Sequence, residues 1–195
     1  MKEDSHMSEK KYQSLVYQFV PEVNNWGDFL PPTQLYFRGE INMPGANIFA
    51  PYRPYMAPIF LDKNPHYHKS EEYLTFVGAD IINAYESFDA EIEFWMGEDV
   101  HNMEQYIITS PTIIRVPAGM WHCPLEFKRV DKPVFFQPVL LSGVYGAYTL
   151  ETDEQGGEDI VYREMGARKC VENPNINCKN CGKCYRRMLE NERRN

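Results

Sequence analysis

The sequence predicts an all-β protein, a sandwich or barrel of many short strands. Between Thr33 and Leu150, short apolar or alternating runs recur, each cut off by turn-forming residues. No stretch of that region sustains the 3.6-residue apolar period of a helix. With 13 Tyr and 14 Pro, the composition also favours strands joined by sharp turns over a helical bundle.

In order along the chain, Lys11 to Phe19 is half apolar and fits either a strand or a short helix. Asn24-Asn25-Trp26-Gly27-Asp28 and Pro31-Pro32 then read as loop, so residues 1–32 form an arm before the core. Strands are expected over Gln34–Arg38, Asn47–Ala50, Met56–Leu61, Tyr73–Val77, Glu91–Met96, Gln105–Ile108, Thr112–Val116, Val134–Leu141 and Val144–Thr149. Glu91-Ile92-Glu93-Phe94 alternates as a strand with one wet face should. Met43-Pro44-Gly45, Asn64-Pro65, Gly97-Glu98-Asp99, Pro117-Ala118-Gly119 and Ser142-Gly143 supply the turns. After Thr152 comes the hydrophilic stretch Asp153–Asp159 and then a basic, cysteine-bearing tail. The division is therefore an arm at 1–32, a barrel at 33–152 and an extension at 153–195.

Charge and hydropathy exclude several roles. The net charge is −8, with −13 on residues 1–162 and +5 on 163–195. An acidic body repels phosphate backbones, and no helix-turn-helix fits the arm, so nucleic acid is not an expected partner. No apolar run approaches the roughly 18 residues that span a bilayer, which argues against a membrane role. The charged MKEDSHMSEKK start carries no apolar stretch behind it, and a cytoplasmic location is expected.

The densest chemistry lies in Asn64-Pro65-His66-Tyr67-His68-Lys69-Ser70-Glu71-Glu72. In a strand, His66 and His68 share one face about 7 Å apart at Cα and can converge on one ion. Glu72 would be about 13 Å away along an extended chain, too far for a common shell, so the chain must turn at Lys69-Ser70. A further histidine, His122, follows the Pro117-Ala118-Gly119 turn. Tyr67, Trp121 and Cys123 alternate with these histidines and are expected on the opposite face, as packing. Glu71 reads as a surface charge.

These residues resemble the two motifs of the cupins. His66, His68, Glu72 and Gly78 fit the first motif, and Pro117, Gly119 and His122 fit the second. Pro111 and Glu126 depart from it where Gly and Asn are common. The resemblance covers roughly residues 36–150 and implies a double-stranded β-helix, a small jelly-roll barrel. It implies a metal held by His66, His68, Glu72 and His122, with Fe, Mn, Ni or Zn all suited to that donor set. Around it, Arg53 would offer a charged fork for a substrate carboxylate. Gln137, a polar residue in the apolar strand Val134–Leu141, would need a partner that a ligand could provide.

Cys170, Cys178, Cys181 and Cys184 crowd the last 26 residues, whereas Cys123 stands apart. Four clustered thiols in a reducing compartment suit a second metal, either zinc or an iron–sulfur cluster. The expected function is a metal-dependent cupin enzyme acting on a small polar molecule. Oxygenation is preferred to isomerisation, decarboxylation or elimination. The alternatives are a non-catalytic metal- and metabolite-binding sensor, and a barrel whose metal only fastens the fold. A homodimer through the aromatic arm Tyr12–Phe19 is a further expectation.

Overall fold

The computed structural model describes residues 11–24, 27–164 and 183–193. Its strands are β1 (Glu22–Val23), β2 (Thr33–Arg38), β3 (Phe49–Tyr55), β4 (Ile59–Asp62), β5 (His66–Tyr67), β6 (Glu72–Gly78) and β7 (Ala90–Gly97). They continue as β8 (Glu104–Ile108), β9 (Thr112–Val116), β10 (Trp121–Val130), β11 (Val134–Leu140), β12 (Gly146–Thr152) and β13 (Glu158–Glu164). One helix, α1 (Lys183–Glu192), follows. The expected all-β class is borne out.

The strands form two antiparallel sheets, β1-β2-β3-β11-β6-β9 and β13-β12-β5-β10-β7-β8, with β4 pairing to β10. Pairs such as β6–β11 and β7–β10 join segments distant in sequence, as a jelly roll requires. Alternation decides what each sheet turns inward: β6 buries Glu72, Leu74, Phe76 and Gly78, and β7 buries Ala90, Ile92 and Phe94. Gly78 is needed for close approach, since a Cβ there would meet the Ala84 carbonyl oxygen at 2.8 Å.

The core is aromatic. The Tyr55 ring stacks on Phe127 across the two sheets at 4.6 Å, and Phe76 stacks on Phe136 at 4.7 Å. All four are buried, with Ile92, Phe94, Leu125 and Val134 packed in the same cluster. This filling stops short of the far end of the barrel, where a cavity of about 520 Å³ remains.

Several boundaries differ from those read in the sequence. The segment 153–157 is the tip of a hairpin, with Asp153 N–H donating to the Gly157 carbonyl at 2.8 Å, and β13 pairs β12 along its whole length. The second sheet therefore runs to Glu164, past Thr152. Arm residues also join the barrel, because β1 pairs β2. The strand β10, the longest of the described strands, is expected from the sequence only as the strand that His122 enters; its interior Pro124 and charged end disguise its extent. The tail residues Cys170, Cys178 and Cys181 lie outside the described residues. Cys184 is half-buried in the first turn of α1.

Candidate metal centre

The bend expected at Lys69-Ser70 is present, and it carries the chain from β5 in one sheet to β6 in the other. His66 lies on β5, His68 just after it, Glu72 opens β6 and His122 lies near the start of β10. His66 and His122 are direct cross-strand partners. The Pro117-Ala118-Gly119 turn is fastened to the first motif, because Gly119 N–H donates to the His68 carbonyl at 2.8 Å. Gly119 takes a φ of 82°, which glycine adopts without a Cβ clash.

One metal-binding nitrogen from each of His66, His68 and His122 lies within 4.8 Å of the others, and all three residues are buried. The Glu72 Oε2 atom sits 3.3 Å from His122 Nε2 and 3.6 Å from His68 Nε2. Each imidazole is oriented from behind. Nδ1 of His68 lies 2.7 Å from the Gly146 carbonyl, that of His122 lies 3.1 Å from Met120 O, and that of His66 lies 3.2 Å from Asn64 O. A neutral ring that donates through Nδ1–H keeps a bare lone pair on Nε2. The Nε2 atoms of His68 and His122 are accordingly buried with no hydrogen-bond partner. Two lone pairs and a carboxylate turned toward one another are costly unless a cation lies among them. The donor set therefore fits a divalent transition ion.

Electrostatics agrees with that fit. Burial, reinforced by the charges of His122 and His68, lowers the His66 pKa to about 3, so this ring is neutral at physiological pH. Burial likewise pulls His68 below its usual value. Burial opposes ionisation of Glu72, but the neighbouring rings of His122, His68 and His66 outweigh it and hold the carboxyl below its usual range. Neutral imidazoles beside a carboxylate are the protonation states a metal takes.

Other positions follow less simply from the sequence. Tyr67 and Trp121 do face away from the histidines, packed edge to face at 4.9 Å, and Tyr67 stacks on Tyr148. Cys123 does not: it takes a φ of 70° at a register shift in β10 and turns into the cavity. Strand alternation, which sends it outward, fails at that irregularity. Burial holds the Cys123 thiol protonated, which makes it a poor ligand although it, Asp62 and His66 are mutually within 4.8 Å. Asp62, 3.7 Å from His66 Nδ1, has no counterpart in the sequence motifs. Glu71 pairs with Arg115 and accepts from Tyr73 OH, away from the ligand cluster.

Arg53 lines the cavity, and so do Glu22, Gln34, Tyr36, Arg38 and Tyr145, none of which the sequence singles out. Gln137 does not line it. On β11 the inward residues are Phe136 and Pro138, and Gln137 between them is on the outer face. Arg38 is paired with Glu22 through two hydrogen bonds of 3.1 and 2.7 Å, both side chains buried.

No protein-family profile matches the chain, and no curated protein matches it by sequence. Among solved structures, it is similar to the hydroxypropylphosphonic acid epoxidase from S. wedmorenis, with 11% identity and a TM-score of 0.42 over 64% of this chain and 58% of that one. An oxalate decarboxylase from Bacillus subtilis gives 11% identity and a TM-score of 0.44 over 66% and 30% of the two chains. That from Lactobacillus farciminis gives 14% and 0.43 over 67% and 33%. The matched region thus spans between about a third and three fifths of those proteins. Two antiparallel sheets enclose a cavity, with three histidines and a glutamate gathered on its wall, which is the jelly-roll arrangement expected from the two sequence motifs.

Proposed function

We propose that the chain is a metal-dependent enzyme acting on a small polar molecule, with His66, His68, Glu72 and His122 as the metal ligands. The single observation that carries this reading is the convergence of three buried imidazoles and a carboxylate on one point of a cavity of about 520 Å³. A small-molecule site is a concave, mostly apolar space with a few fixed polar groups, and this cavity has Leu61, Leu74, Leu125 and Phe136 beside those groups. An Fe, Mn, Ni or Zn ion would be held by these four residues and would supply Lewis acidity toward a bound substrate. The chain's own residues orient that ligand, exclude water and supply charge. Arg53 is the catalytic-site cation, and Tyr145, also on the cavity wall, packs against the His68 ring at 5.4 Å. Oxygenation by an Fe(II) form is the preferred reaction class.

The test is metal content followed by turnover. Protein purified anaerobically is expected to hold one barrel ion, lost in His66→Ala and His122→Ala with folding retained. The Fe(II) form, offered small organic acids, is expected to consume dioxygen in an electrode assay. Metal binding and acid binding without turnover, under air or argon, would favour the sensor reading instead.

For the tail, the proposal is a second metal, zinc or an iron–sulfur cluster, on Cys170, Cys178, Cys181 and Cys184. A colourless sample with four titratable tail thiols and no tail metal removes it. Homodimerisation through Tyr12–Phe19 is supported by the exposure of Tyr12, Leu15, Val16 and Phe19. A monomer by sedimentation ends it. Among the described residues no helix is long and apolar enough to cross a membrane.

A further inference from the structure

We propose that Gln34 and Arg53 form a ligand subsite on the cavity wall, built for the acid group of a small anion that carries a hydroxyl or amine beside it. This names the substrate class of the site proposed above and rests on that reading for its catalytic meaning, though not for binding itself.

The two residues are neighbours by register. Leu35 pairs with Tyr52 and Tyr36 with Pro51, so the next step of the same β2–β3 ladder sets Gln34 opposite Arg53. Both side chains belong to the inward face and line the cavity. Gln34 Oε1 and Arg53 Nε are each buried without a hydrogen-bond partner. One is an acceptor that lacks a donor, and the other is a donor that lacks an acceptor. Buried polar groups left so are the exception in folded proteins, and two of complementary kind on adjacent strands ask for one bridging molecule.

Charge sets the sign of that molecule. Among the described residues Arg53 has no carboxylate partner; its Nη1 donates to Tyr55 OH at 3.3 Å and its guanidinium lies 5.3 Å from the Tyr36 ring centroid. Neither contact uses the Nε–H. Arg38, in the same cavity, is already paired with Glu22, so Arg53 is left to meet an incoming anion. A carboxylate or phosphonate oxygen fits the Nε–H, and a neighbouring hydroxyl or amine donates to Gln34 Oε1. Size is consistent as well. Arg53 pairs with Phe136, which pairs with Phe76, while Glu72 begins β6 four residues earlier, about 13 Å along the strand. The arginine side chain shortens that span, and Leu74, Phe136 and Pro138 give the intervening ligand an apolar wall.

The test compares lactate with propionate, which differ by the one hydroxyl, using ligand-observed NMR on metal-free and Zn(II)-loaded full-length protein. In the metal-free form lactate is expected to bind about tenfold more tightly than propionate. Arg53→Met should weaken both by about tenfold or more, and Arg53→Lys should recover only part of that loss. Gln34→Leu should bring lactate down to the level of propionate and leave propionate unchanged. Unaltered unfolding midpoints would show that each variant is folded. Equal affinity for the two acids, binding indifferent to Arg53→Met, or no binding of either acid to either form would overturn the subsite. Acid binding by unmutated protein that takes up no barrel metal would leave the subsite standing while the metal-enzyme reading fell; metal uptake without acid binding would do the reverse.

Discussion

His66 and His122 face each other directly across the β5–β10 pair, with their ring centroids 4.3 Å apart. They lie 56 positions apart in the sequence, so this proximity is made by sheet pairing alone. Removing either ring leaves the other anchored to its own backbone carbonyl.

His122→Ala should therefore remove metal affinity without unfolding the barrel. The expected loss is more than about 100-fold, above what is typical for a group that only supports a ligand. Competition with a chromophoric chelator, alongside circular dichroism, measures both quantities. Retained affinity in folded protein would exclude His122 as a ligand.

The stability of the metal-free chain should depend on acidity in a defined direction. His66 has a pKa of about 3 when folded against an ordinary 6.5, through burial and the charges of His122 and His68. Above pH 6.5 neither state binds this proton and its contribution is complete. As pH falls from 6.5 toward 3 the unfolded chain takes up the proton and the folded chain does not. Stability then drops by up to about 1.4 kcal/mol per pH unit, with His68 acting in the same sense. Denaturant titrations in EDTA at several pH values read this slope; a flat profile would contradict it.

The Glu22–Arg38 pair should reveal itself through an asymmetry. Glu22→Ala leaves a buried guanidinium short of its carboxylate and should cost about 3 kcal/mol or more. Glu22→Ala combined with Arg38→Met should cost less than the single change, because the charge leaves with its partner. Thermal unfolding of the two variants decides between this and a merely additive effect.

Phe127→Ala should destabilise by about 3–5 kcal/mol, since its ring is fully buried and stacked on Tyr55. Chemical denaturation should show a lower midpoint with unchanged slope.

Legibility from the sequence followed how local each determinant is. Thr112–Val116 is identical in expectation and structure, and most other strands shift by a few residues, because turn residues and alternation are written into neighbouring positions. Glu72 illustrates a harder case: it occupies the inward row of Leu74 and Phe76, where periodicity alone asks for an apolar residue, and only the motif marks it. Cys123 was misplaced because a register shift defeats alternation. Gln34 and Glu22 were invisible, since their importance comes from which strands lie beside them. Gln137 stood out as a polar residue in an apolar run, yet the outer face of β11 accommodates it.

Glu72 belongs to one sheet, whereas His66 and His122 belong to the other. Whatever grips all four donors consequently acts as a clasp between the two halves of the sandwich at its unfilled end. Loading should thus quieten the parting of the sheets there, and amide exchange in β5 and β6 should slow together while the aromatic far end hardly changes.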